Sequence, residues 1–157
     1  MIHLVLLASF YITRLVGQAE TWQYKQPIGM VARPAAEASI RSVNRVEFPF
    51  PYAGGSVVTL TLKRRADGPL VSFEVDKGLF NRSYQNGRAQ VRFDNDRAVT
   101  YTLVAAANGR ANIVFVDKAP TFIRRLRSCN RLQVQIVFAS QPTHQVTFAT
   151  RGLKWRE

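Results

Sequence analysis

Apolar and polar residues alternate through most of this chain, most clearly from Arg131 to Phe138. Leu132, Val134, Ile136 and Phe138 share one side while Gln133 and Gln135 take the other, the period of two that marks a half-buried strand. Gln141-Pro142-Thr143 turns this run into a return arm, His144 to Trp155, where Val146 and Phe148 repeat the pattern. A lone strand pair with one apolar face is only marginally stable, so the preceding segments must supply further strands to cover it.

Those segments follow in order. Trp22 to Lys25 and Ile28 to Ala32, broken by Pro27 and Pro34, read as short edge strands, because proline cannot donate to a sheet ladder. Ile40, Val43, Val46 and Phe48 alternate weakly; a bent strand is expected there, with a short helix as the alternative. Pro49, Pro51 and the pair Gly54-Gly55 end it, the prolines by forcing an extended chain and the glycines by permitting a reversal. Ala66-Asp67-Gly68 then separates two alternating runs, Asn86-Gly87 precedes a third, and Asn108-Gly109 joins two more. Three such hairpin signals predict a meander. One helix interrupts it: Pro120 suits a first helical turn, Asp117 lies just upstream, and Phe122, Leu126 and Cys129 fall on one face before Asn130. The expected fold is all-β and mainly antiparallel, a β-sandwich or barrel-like meander of eight to ten strands with one short helix near residues 119–129.

Length and composition agree with a single domain. The 157 residues are 46% hydrophobic and include 10 Phe, enough to fill one core and to argue against disorder as the main state. There is no long linker, low-complexity tract or repeat. The start differs from the rest: an apolar run from Leu4 to Ile12 is followed by Gly17 and Ala19, at the spacing that a signal peptidase reads. Residues 1–19 are therefore expected to be a signal peptide and 20–157 a single β-sandwich domain, periplasmic or secreted after cleavage near Ala19. The n-region lacks Lys and Arg, and Arg14 interrupts the apolar stretch; the alternative, a membrane anchor, would need roughly 20 apolar residues.

Charge narrows the partner. Lys and Arg number 22 against 10 Asp and Glu, a formal charge of +12, which favours polyanions or acidic surfaces without naming one. Two basic groups stand out. The first is Lys118, Arg124, Arg125, Arg127 and Arg131, on and after the helix, with no acidic residue between Lys118 and Arg131. The second interleaves charge with a ring through Arg82, Tyr84, Arg88, Arg92 and Arg97. Arginine forks bind phosphate or carboxylate in bidentate fashion, and aromatic rings can stack on bases or sugars. The plainer reading of each group is a solvated face.

Candidate catalytic chemistry is sparse. His144 is the only histidine beyond the leader and is expected at an exposed turn, away from Cys129 on the helix's apolar face, so neither a nucleophile–base pair nor a zinc site is expected. Cys129, the single cysteine, reads as a small buried residue, with a bridge between chains as the other option. Asp94-Asn95-Asp96 has the opening of a calcium loop without its glycine and distal glutamate, and reads as a hairpin turn. Glu74 and Asp76 share one face of their strand and form the least implausible acid–base pair.

The segments SVNRVEFPFPYAGGSVVTLTLKR, VDKGLF and QVRFDN and the ending GLKW resemble small exported β-rich proteins of Gram-negative bacteria, often encoded near secretion or mobile-element genes. That resemblance implies an envelope β-sandwich and supplies no catalytic residues. It also implies a cysteine pair near Asn81 and Gly87, which this chain lacks. The expected function is a non-enzymatic cell-envelope binding or assembly module, accessory to a secretion, conjugation or phage-related machine. The alternative is a basic nucleic-acid or polyanion-binding protein. No cofactor is expected, and the partner is an envelope protein, a second copy of the chain or a polyanion rather than a small-molecule substrate.

Overall fold

The alternating runs assemble into one antiparallel sheet. The computed structural model describes residues 21–26, 35–80 and 87–156. Its strands are β1 (Gln23–Lys25), β2 (Glu37–Arg41), β3 (Val58–Lys63), β4 (Leu70–Val75), β5 (Gly87–Phe93), β6 (Val99–Ala105), β7 (Ile113–Val116), β8 (Leu132–Val137) and β9 (Thr143–Phe148), with one helix, α1 (Ala119–Leu126), between β7 and β8. The order across the sheet is β1-β2-β3-β4-β7-β6-β5-β8-β9. This is the all-β, antiparallel fold with one short helix that the periodicity predicts, in the form of a single continuous sheet. The expected leader, residues 1–19, and the strand expected at Ile28 to Ala32 lie outside the described residues.

The two ends of the sheet return to each other. Past β2, the Val43 N–H donates to the Thr147 carbonyl at 2.8 Å, and the Asn44 side chain acts as a short piece of strand against β9. Its amide nitrogen donates to the Gln145 carbonyl at 2.9 Å while its oxygen accepts from the Thr147 N–H at 2.8 Å. The free edge of β9 is thus covered, which removes a template for unwanted strand pairing. On the β1 side, the Trp22 indole N–H donates to the Thr150 carbonyl at 3.0 Å, and the Tyr24 hydroxyl accepts from the Lys154 N–H at 2.7 Å.

Two connections depart from a simple meander. Gly87 opens β5, but β5 pairs with β6 and β8, not with β4. β4 takes β7 as its neighbour instead, with Phe73 opposite Val114. Strands β5, β6 and β7 are therefore a hairpin-connected unit set in reverse beside β4, a Greek-key arrangement. The β5–β6 turn is the Asp94-Asn95-Asp96 segment, with Asp94 at φ 52°, a conformation that aspartate tolerates better than most residues. At the other end, β9 stops at Phe148, short of the longer arm that the sequence implies.

Inward positions fill the concave side of the sheet. Leu60, Leu62, Val71, Phe73, Val91, Phe93, Leu103, Leu132, Val134, Ile136 and Phe148 are all buried, and α1 drops its apolar stripe onto them. Phe122 is the hub: its ring lies edge-on to Phe73, Phe93 and Tyr101 at centroid distances of 6.1, 5.4 and 5.3 Å. Pro120 occupies the first helical turn as expected, and Lys118 is the N-cap residue without a side-chain cap. The helix ends at Leu126, so Cys129 lies in the turn after it, buried but off the helix. The Cys129 thiol donates to the Arg131 carbonyl at 3.1 Å.

Burial pushes the Cys129 thiol above its ordinary 9.0, more than its hydrogen bonds pull it down. Because the folded thiol holds its proton longer than the unfolded one, Cys129 contributes stability below the unfolded pKa and loses it as pH rises past about 9. A disulfide-exchange reagent at pH 8 should accordingly react with native protein far more slowly than with denatured protein. Equal rates would mean that the thiol is open to solvent.

Candidate polyanion-binding face

The outward side of β6, β5, β8 and β9 is built by the same alternation that fills the core. Register places Thr100, Gln90, Gln135 and Gln145 in one row across four strands, and Arg92, Gln133 and Thr147 in the next. Arg88 lies four residues before Arg92 on β5, roughly 13 Å away at the usual strand rise. Arg131 has the same parity as Gln133 and sits one step diagonally from Arg92, a separation of roughly 7–8 Å between neighbouring strands. Gln90, Arg92, Ala98, Gln133, Gln135 and Gln145 line a shallow hollow of about 150 Å³. Arg88, Arg92 and Arg131 are exposed, and among the described residues none of the three is in an ion pair.

The acids nearest this face are already engaged. Asp94 extends the β5 edge, and its carboxylate accepts from the Asn130 and Arg131 N–H groups, both at 2.9 Å. Asp96 pairs with Arg125 at 3.3 Å. Both carboxylates stand at the turn rather than among the glutamines. The surface therefore offers amide, hydroxyl and guanidinium groups, a chemistry that receives anionic oxygens from several donors at once.

The two basic groups of the sequence are redistributed. Arg131, from the first, joins Arg88 and Arg92, from the second, on one surface. Lys118, Arg124 and Arg127 are exposed on and beside α1, at the end of the sheet where the Asp94 turn also lies. Arg125 is taken out of the free set: its guanidinium lies 4.3 Å from the Phe93 ring centroid and is held by Asp96. The first group is thus not free of acids, since chain folding brings Asp94 and Asp96 to it from β5. Arg82 and Tyr84 lie outside the described residues. Arg97 is exposed beside Asp96 in the chain.

Other candidates are resolved by their partners. Glu74 pairs with Arg110 and also accepts from the Asn112 amide at 3.3 Å. Asp76 accepts from the Val57 and Lys77 N–H groups, both at 2.8 Å, so both carboxylates already have partners within the fold. His144 is not at an exposed turn: it lies in β9, edge-on to Phe48 and Phe138 at 5.8 and 5.9 Å. Its Nε2 is buried without a hydrogen-bond partner. A second, apolar hollow of about 530 Å³ on β4, β7 and β6 involves Leu70, Val104, Ile113 and Phe115; the sequence reading missed it, although Ile113 and Phe115 alternate outward with the inward Val114 and Val116. No family model, curated protein or solved structure matches the chain.

Proposed function

We propose that this protein is a non-enzymatic binding module of the cell envelope that holds an extended polyanion across the outer face of β5, β8 and β9. The observation that carries this reading is the placement of Arg88, Arg92 and Arg131 along one glutamine and threonine face, beside which the Asp94 and Asp96 carboxylates are already bonded. Periodic placement on a rigid sheet keeps the donors apart at fixed spacing, so a chain of anionic groups meets them with little reorganisation. Location in the envelope rests on the leader-like pattern of residues 1–19.

The test is retention on heparin. Replacing Arg88, Arg92 and Arg131 together by Gln should weaken binding on the order of tenfold or more at physiological salt and flatten the salt dependence by roughly one unit of slope per lost contact. Arg41, Lys154 and Arg156, exposed elsewhere, form the control triple. Equal losses from both triples would reduce the effect to net charge and remove the site.

A second reading draws on the apolar hollow of β4, β7 and β6. Leu70, Val104, Ile113 and Phe115 would there meet a protein partner, making the domain an assembly module of a larger envelope machine. A Phe115→Asp change would abolish such a contact and leave heparin retention intact.

A further inference from the structure

The loop after Phe48 carries an aromatic side chain that the fold leaves in solvent. Phe50 is 91% exposed, more than any other large hydrophobic residue among those described. It sits between Pro49 and Pro51, and the Phe50–Pro51 bond is cis. Beneath it is a cleft of about 270 Å³ lined by Phe48, Pro51, Tyr52, Leu79 and Ala139. The base is firm: Phe48 is buried and meets Phe138 edge-on at 5.0 Å. Gly78 lets that ring approach the chain, because a Cβ there would fall 2.7 Å from Phe48 Cε2 at a φ of 104°. The loop thus carries an exposed apolar tip, Phe50, over a buried base, Phe48.

Its flanks carry two cations and two acids. The Lys77 ammonium lies 3.6 Å from where a Cβ on Gly54 would be, and the Arg45 side chain crowds Gly55 beside Glu47; the second acid, Asp76, already accepts from the Val57 and Lys77 N–H groups at 2.8 Å. We propose that this loop inserts Phe50 into the interface of an anionic lipid bilayer, with Lys77 and Arg45 on the headgroups. Aromatic rings favour that interface, and each nearby Lys or Arg adds attraction to a negative leaflet. A second copy of this chain is the poorer occupant, because two molecules of formal charge +12 repel, whereas an anionic membrane attracts Lys77 and Arg45.

The probe is vesicles of phosphatidylcholine with and without phosphatidylglycerol, mixed with full-length protein. Parent and variants carry the same N-terminal segment, so its contribution cancels. Phe50→Ala should lower partitioning onto the anionic vesicles by about tenfold, the worth of most of a buried phenyl side chain. Lys77→Gln should lower it by about fivefold there and hardly at all on neutral vesicles. The residues next to Phe50 stay the same in Phe50→Trp, whose emission should shift to the blue on anionic vesicles and be quenched by brominated acyl chains; Trp22 and Trp155 are buried and supply a constant background. Unshifted emission from the Phe50→Trp protein once it has bound the vesicles would overturn insertion and leave charge adsorption. Loss of self-association in Phe50→Ala, with vesicle binding unchanged, would overturn it in favour of a contact between copies. Because none of Arg88, Arg92 and Arg131 lines the cleft under Phe50, replacing them by Gln in the Phe50→Trp background should leave the blue shift and its quenching intact.

Discussion

Phe122→Ala should destabilise the protein by about 3–5 kcal/mol, the cost of emptying a buried aromatic site. Phe122 is fully buried and is the one ring that α1 sends among Phe73 of β4, Phe93 of β5 and Tyr101 of β6. Those strands come from both sides of the Greek-key insertion, so the ring ties the reversed unit β5-β6-β7 to β4. Edge-to-face pairs add to simple area burial, and three are lost together. Collapse around the hole is hindered because each neighbour is fixed in a strand. Denaturant midpoints measure the loss. Arg125→Gln, which removes only the cation over Phe93 and its pair with Asp96, should cost about 1 kcal/mol or less. If the two variants shifted equally, the helix would be held by its surface contacts and not by its buried ring.

Much of the fold was legible because alternation is a local property. Leu132, Val134 and Ile136 face inward in β8 as their spacing requires, and Pro120 opens the helix where its missing N–H is harmless. Strand order was less legible. Asn86-Gly87 has the chemistry of a hairpin turn, yet it could not reveal that β4 would pair with β7, since that choice depends on which apolar faces cover each other across the whole sheet. The same reason divides the candidate site. Runs of arginine were visible as charge, but only the register of β5 with β8, which sets Arg92 opposite Gln133, leaves Arg131 one diagonal step from Arg92. The acids that modify the helix set, Asp94 and Asp96, reach it through a turn some thirty residues earlier in the chain. Asn44, which covers the β9 edge, gave no signal at all, because an asparagine side chain standing in for backbone is defined only by what lies opposite.

Phe138→Ala should cost as much as the change at Phe122, about 3–5 kcal/mol, while Gln135→Ala, three residues away on the same strand run, should cost about 0.5 kcal/mol or less. The contrast follows from parity. Phe138 is buried, stacks on Phe80 at 4.9 Å and meets Phe48 edge-on at 5.0 Å, with His144 against its ring. It also closes the end of β8, where Phe80 and Phe138 form a bridge, so truncation loosens both the core and the connection leaving β4. Gln135 points outward between Gln90 and Gln145. Its amide has water to return to when the neighbours change, so stability barely registers the loss. Ligand binding should register it: Gln135 lines the hollow beside Arg92, and Gln135→Ala should weaken heparin retention severalfold, about one hydrogen bond to a charged group. Denaturant midpoints and heparin elution, measured on the same two proteins, should therefore move in opposite order. Two small midpoint shifts would mean that the inward face of β8 is misassigned. A large midpoint shift for Phe138→Ala with unchanged heparin elution for Gln135→Ala would keep the core and move the binding surface off β8.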